Sequence, residues 1–201
     1  MALLVADLHL HSDASDGELP PEAVVDLAAE TGLRAIALTD HDTVAGLPRA
    51  LERARLRGVE VIPGCELTAY EGSVELHLLA YGFEFEDEAS PLGRLLSAQR
   101  EARHARAFEI AARLRGHGVA VPDEAVLAAA GPAAALGRPH VARALVAGGH
   151  ARDMQDAFQR YLGRHAPGHV EKPRVAPKTV IDAVHASGGS SPSRIPRRTT
   201  N

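Results

Sequence analysis

The sequence predicts an α/β fold built on a parallel sheet or barrel, and three observations carry that reading. Short apolar runs alternate with helical periodicity through the first 85 residues, the pattern of β–α units that bury a sheet under helices. Polar side chains follow the apolar runs, at the carboxyl ends of the strands, where such folds build their sites. With 201 residues, 45% of them hydrophobic, the chain can bury a core of this kind.

Leu3 to Leu10 reads as the first strand, and its apolar start predicts burial. Pro20-Pro21-Glu22 opens a helix, with proline in the first turn and an acid at the positive end of the dipole, and Gly32 closes it. Arg34 to Thr39 is a second strand, Thr43 to Arg57 an amphipathic helix ended by Gly58, and Val59 to Ile62 a β-branched third strand. Val74 to Tyr81 is the fourth. The polar stretches Ser12 to Asp16, Asp40 to Asp42 and Glu66 to Thr68 come just after the first three. From about Glu86 the texture turns helical and alanine-rich, with Arg94, Arg100, Arg103, Arg106, Arg113 and Arg115 spread along one helix as a solvated face. Residues 1–85 therefore read as the first part of the sheet or barrel, 86–168 as a helical insertion, and 169–189 as a return, with a helix from Pro177 to Ser187 closed by Gly188-Gly189. Residues 190–201 hold two prolines and no apolar run, so no strand is expected there.

A formal net charge of −4 argues against electrostatic wrapping of duplex DNA, which needs an excess of Lys and Arg, but leaves small anions open because a bound metal adds positive charge. The arginine-rich helix lacks the interleaved aromatics of a base-stacking surface. The single cysteine, Cys65, precludes an internal disulfide and fits a reducing compartment; it reads as a small buried apolar residue. The opening run Met1 to Ala6 stops at Asp7 with no basic residue ahead of it, so no signal peptide or membrane span is expected and the protein is placed in the cytoplasm.

His9 and His11 lie two apart on a strand, so both rings, with Asp7, project from one face. Asp16 follows in a turn before Gly17. His41, between Asp40 and Asp42, ends the second strand; Glu66 follows the third and His77 lies in the fourth. An imidazole–carboxylate set suits zinc, manganese or iron better than calcium or magnesium, and a carboxylate among histidines can bridge two ions. Asp40 and Asp42 are candidates to take the second N–H of a ligating imidazole. The remaining histidines, His104, His117, His150, His165, His169 and His185, are assigned no role.

The strings Asp7-Leu8-His9-Leu10-His11-Ser12, Ser15-Asp16-Gly17, Leu38-Thr39-Asp40-His41-Asp42-Thr43, Pro63-Gly64-Cys65-Glu66 and Glu75-Leu76-His77-Leu78-Leu79 resemble successive motifs of the polymerase and histidinol phosphatase (PHP) family, its stand-alone metal-dependent phosphoesterases in particular. The resemblance runs from Val5 to about Gly189. It implies an incomplete distorted (β/α)7 barrel with a helical insertion, and two or three divalent transition metals (Mn, Zn or Fe) held by His9, His11, Asp16, His41, Glu66 and His77. It further gives Asp16 and His41 catalytic roles and turns Arg138 and His140, in Gly137-Arg138-Pro139-His140, toward the substrate phosphate or the metals. Lys172 is a weaker phosphate contact. The implied reaction is hydrolysis of phosphate esters of nucleotides, or of short single-stranded oligonucleotide 5′ ends, by a metal-activated hydroxide.

The same family pattern requires, after Gly188-Gly189, a strand ending in Ala-His-Pro and a later Asp-x-His. Neither is present, so the chain reads as truncated at its C-terminus, and the competing reading is an inactive metal-binding fragment of such an enzyme. A shift of reading frame accounts for the change: GC-rich synonymous codons for Gly189 to Asn201, read one base out of frame, give Val-Val-Ala-Leu-Ala-His-Pro. On that reading residues 190–201 are an aberrant tail.

Overall fold

Proline and glycine set most element boundaries. The computed structural model describes residues 5–130, 136–172 and 174–196, the last six of these as backbone alone, and the chain divides into two units. One contains residues up to 98 together with those from 174 onward; the other contains residues 99–173.

The first unit is a five-stranded sheet whose strands lie side by side in chain order. β1 (Ala6–Leu10), β2 (Ala35–Leu38) and β3 (Glu60–Glu71) are mutually parallel, as the β–α alternation predicts. The crossovers are α1 (Pro21–Glu30) and α2 (Leu47–Arg57), both with proline in the first turn; α2 ends on Gly58 in the left-handed conformation. α2 starts four residues later than its periodicity suggests, because Gly46 caps it after a turn closed by the Leu47 amide on the Val44 carbonyl. α7 (Pro177–Ala186) belongs to this unit. The core is apolar and continuous: Val25, Ile36, Leu38, Leu47, Leu67, Val180 and Val184 are all at most 1% exposed, each worth roughly 1.5–3 kcal/mol of burial. Cys65 is buried among them, as expected.

Three expectations about the sheet are corrected. β3 does not stop at Ile62 but runs to Glu71, so Glu66 lies inside a strand. β4 (Val74–Tyr81) is antiparallel to β3, joined by the two-residue turn Gly72-Ser73 with Gly72 at φ 60, a conformation that favours glycine. Residues 190–196, expected to carry no strand, form β5 (Ser190–Pro196), antiparallel to β4. Backbone pairing needs no side-chain pattern, β4 offers an edge to pair with, and prolines are tolerated on an edge strand. Leu3 and Leu4, and residues 197–201, lie outside the described residues.

β1 also departs from its predicted burial. Val5 is 49% and Leu8 43% exposed, because β1 ends the sheet and has only β2 beside it among the described residues. The sheet nevertheless curls. Tyr81 on β4 donates its hydroxyl to the Leu8 carbonyl on β1 at 2.8 Å, although β2 and β3 separate the two strands in the sheet order. The architecture is an incomplete distorted barrel.

In the second unit, α3 (Pro91–Gly116, which starts in the first unit) continues into α4 (Asp123–Ala130), α5 (Arg138–Ala147) and α6 (Met154–Ala157), which runs into a π-helical turn, Phe158–Leu162. Its own core gathers Ile110, Leu114, Val121, Leu136, Val141, Leu145 and Leu162. Three of the arginines on this helix also donate to loop carbonyls: Arg106 to Val170 (2.9 Å), Arg113 to His169 (2.7 Å) and Arg115 to Val121 (2.8 Å). Among the described residues no helix is long and apolar enough to cross a membrane.

Candidate metal centre

Parallel strands deliver their carboxyl ends to one side, and there the loop after β1 is tied to the end of β2. Asp40 accepts from the Ser12 amide, the Ser12 hydroxyl and the Ser15 hydroxyl, each at 2.7 Å. Asp42, at φ 50 in the left-handed region, accepts from the Thr68 amide (2.7 Å) and hydroxyl (2.8 Å). Both acids thus tie neighbouring chain segments together. Gly17 is required by close approach, since a Cβ there would lie 2.5 Å from the His11 carbonyl oxygen. That turn holds Asp16 beside the rings.

Glu66, 4% exposed in the middle of β3, is the hub. Its Oε2 lies 2.7 Å from His9 Nε2, 3.1 Å from His11 Nε2 and 3.8 Å from His41 Nε2; its Oε1 lies 2.5 Å from His77 Nδ1. Asp16 stands 3.4 Å from His11 Nδ1 and 3.5 Å from His41 Nε2. Successive rings sit 5.1, 4.8 and 5.0 Å apart from His9 through His11 and His41 to His77. All six sequence-predicted ligands are therefore brought together, in three overlapping groups: His9, His11 and Glu66; His11, Asp16 and His41; His41, Glu66 and His77. Within each group the ligand atoms lie within 4.8 Å of one another.

The electrostatics are those of a carboxylate crowded by imidazoles. Burial pushes Glu66 up, but hydrogen bonds from His11 and His77, the charge of His41 and a hydrogen bond from His9 hold it well below the usual carboxylate range. His77 is raised to about 9 by its hydrogen bonds to Glu66 and Glu75, against burial. Burial lowers His11, yet its bond to Glu66 and the charges of Asp16, Glu66 and Asp40 leave it raised. His41 is lowered, by burial first and then by the neighbouring His11 and His77, with Glu66 and Asp16 opposing. The buried Nδ1 of His11 has no hydrogen-bond partner. A buried imidazole nitrogen that makes no hydrogen bond and has only the Asp16 carboxylate nearby, among borderline N and O donors, fits a transition-metal ion.

Arg138 and His140 are placed in the second unit, on the first turn of α5. The Arg138 guanidinium lies 5.7 Å from the Phe158 ring centroid. His140, 6% exposed, accepts the Gly137 amide on Nδ1 at 3.0 Å, and is lowered by burial first and by Arg143.

A family model, the PHP domain, matches residues 7–163. The chain belongs to the PHP domain family. It is 37% identical over 191 residues to the 5′-3′ exoribonuclease Rnm of Salmonella typhimurium, covering 94% of this chain and 64% of that protein. It is 33% identical to the 3′,5′-nucleoside bisphosphate phosphatase of Chromobacterium violaceum, covering 91% and 64%. The chain thus spans just under two thirds of the curated relatives it matches. Among solved structures, a metal-dependent phosphoesterase from Bifidobacterium adolescentis superimposes with a TM-score of 0.80 at 32% identity, over 92% of this chain and 64% of that one. A Chromobacterium violaceum amidohydrolase holding sulfate and no metal gives 0.79 at 32% identity, over 92% and 65%. The PHP resemblance read from the five motifs is correct, and the PHP-type half-barrel agrees with it.

Two contacts around the candidate ligands have no counterpart in the sequence reading. Glu75 reaches His77 Nε2 at 3.3 Å, and Tyr81 ties β4 to β1. The first had a legible signal, since residues two apart on a strand share a face. The second depends on sheet curl, which no local pattern encodes.

Proposed function

We propose that this PHP chain carries the ligand set of a phosphoesterase centre acting on phosphate esters of nucleotides or on the 5′ ends of short single-stranded oligonucleotides. The observation that carries the reading is the convergence of His9, His11, His41 and His77 on the buried Glu66, with Asp16 alongside. Two or three manganese, zinc or iron ions suit these donors, and when bound would supply Lewis acidity and a lowered water pKa. Glu66 offers one oxygen to His9 and His11 and the other to His77, so it can serve neighbouring positions at once. His41, lowered by burial, is a neutral imidazole near neutral pH and thus a ready donor. Asp16, with a 60% exposed side chain beside His11 and His41, is our candidate to accept a proton from an attacking water; its proximity to both rings supports that role.

Phosphate recognition is assigned to Arg138 and His140, with Lys172 as a further contact. A guanidinium grips phosphate oxygens bidentately. Because His140 Nδ1 accepts the Gly137 amide, its proton sits on Nε2, which can donate to a phosphate oxygen. The nucleotide preference rests on what the Salmonella and Chromobacterium relatives are named for. The net charge of −4 supports small or single-stranded substrates over duplex DNA, and the lone Cys65 suits the cytoplasm.

The test is turnover of a nucleoside 3′,5′-bisphosphate and of a short 5′-phosphorylated RNA by the purified chain with added manganese. Product release that stops with a chelator supports the reading. Metal binding without turnover of either substrate would favour the inactive metal-binding fragment, and no metal binding at all would remove the site.

A further inference from the structure

The second nitrogen of a metal-facing imidazole needs its own partner, and Asp40 and Asp42, the acids adjoining His41, are engaged with Ser12, Ser15 and Thr68. His77 has such a partner on its own strand. Glu75 and His77 lie two apart on β4, on the same face, and Glu75 Oε1 is 3.3 Å from His77 Nε2. The other ring nitrogen, Nδ1, is 2.5 Å from Glu66 Oε1, inside the group formed by His41, Glu66 and His77. Both side chains are largely buried, at 13% and 18% exposure, and β4 is flanked by β3 and β5, so the pair sits on an interior strand.

We propose that Glu75 is a positioning residue of the metal centre: it holds the Nε2–H of His77, fixing the ring so that Nδ1 is the nitrogen presented to the metal. The inference rests on the proposed metal site. Its chemistry is the carboxylate–imidazole–metal relay, in which the carboxylate sets the tautomer and raises the donor strength of the ring. The ring's own preference for a proton on Nε2 is modest, and the Glu75 carboxylate adds to it by accepting that proton's hydrogen bond.

The decisive measurement is a long-range ¹H–¹⁵N correlation spectrum of the histidine-labelled chain loaded with zinc. His77 should be coordinated through Nδ1 and protonated on Nε2. Glu75→Ala should weaken zinc binding, read by calorimetry, by about 10–100-fold, the range for losing a group that orients a ligand. Glu75→Gln keeps a carbonyl oxygen for the Nε2–H and should retain most of the affinity. Coordination through Nε2, or unchanged affinity in Glu75→Ala, overturns the proposal while leaving the metal site intact. No zinc bound by the unmodified chain overturns both. If Glu75→Ala fails to fold, the spectrum of the unmodified protein still decides.

Discussion

Histidines beside acids or arginines occur in both units, but the two units treat them differently. On α5 of the second unit, His140 is accounted for locally: its Nδ1 takes a backbone amide, burial and Arg143 keep it neutral, and Arg138 lies over Phe158. At the strand ends of the first unit, four imidazoles surround one buried carboxylate, and His11 Nδ1 is buried with no hydrogen-bond partner. The difference is one of satisfaction. The helix cap settles one His140 nitrogen and leaves the other free to donate to an anion, whereas donors converging from β1, β2, β3 and β4 call for a cation to share.

The sharpest way to break this comparison is to remove donors from each side. His9→Ala with His11→Ala should lower transition-metal affinity at least about 100-fold, beyond the roughly 10–100-fold typical of losing a group that only orients a ligand. Arg138→Ala should leave metal content unchanged. Elemental analysis of the purified variants reads both, and equal metal content in the double variant and the parent would end the assignment.

The next largest effect tests the clamp beneath the ligands. Asp40→Ala removes a buried carboxylate that accepts three hydrogen bonds, and should cost about 3 kcal/mol in chemical denaturation. A loss below about 0.5 kcal/mol would mean that the loop carrying Asp16 is held by something else.

How far the sequence could be read follows the same division between local and distant causes. The parallel β1, β2 and β3, the two crossover helices and the convergence of the six candidate ligands were legible, because proline and glycine punctuation and strand-end polarity are local signals. The antiparallel β4 also left a local signal, the turn Gly72-Ser73 between two apolar runs. The clamping roles of Asp40 and Asp42 were not legible, because Ser12, Ser15 and Thr68 meet them only once the strands are aligned. β5 had no side-chain signature to read; its pairing is a property of the β4 edge.

A smaller effect concerns protons. His77, raised to about 9 by Glu66 and Glu75, adds stability to the metal-free chain that is complete below its ordinary value of 6.5 and lost as pH rises through about 9. Glu66, held low, contributes above its ordinary 4.5 and loses that contribution on acidification through its lowered value. Metal affinity should move the opposite way across the alkaline window, since His77 must release a proton to become a donor. Melting temperatures with chelator should therefore fall from pH 6.5 to 9, while manganese affinity rises. Parallel trends in the two measurements would mean that His77 is not a member of the metal set.

The smallest expected effect probes the curl that brings the donors together. Tyr81, whose ionisation is pushed up by burial and by the charges of Glu66 and Asp7, remains a hydroxyl donor at neutral pH, and its bond to the Leu8 carbonyl spans from β4 to β1. Tyr81→Phe keeps the ring and deletes that one bond. Because Leu8 is 43% exposed, water can replace the donor, so the loss should be about 1 kcal/mol. The informative readout is local. Amide exchange along β1 should quicken while exchange in β3 stays as it was, and metal affinity should fall a few-fold as His9 and His11 gain freedom. If β1 exchange and metal affinity both match the parent, strand twist alone sets the curl, and Tyr81 only fills the space between the two strands.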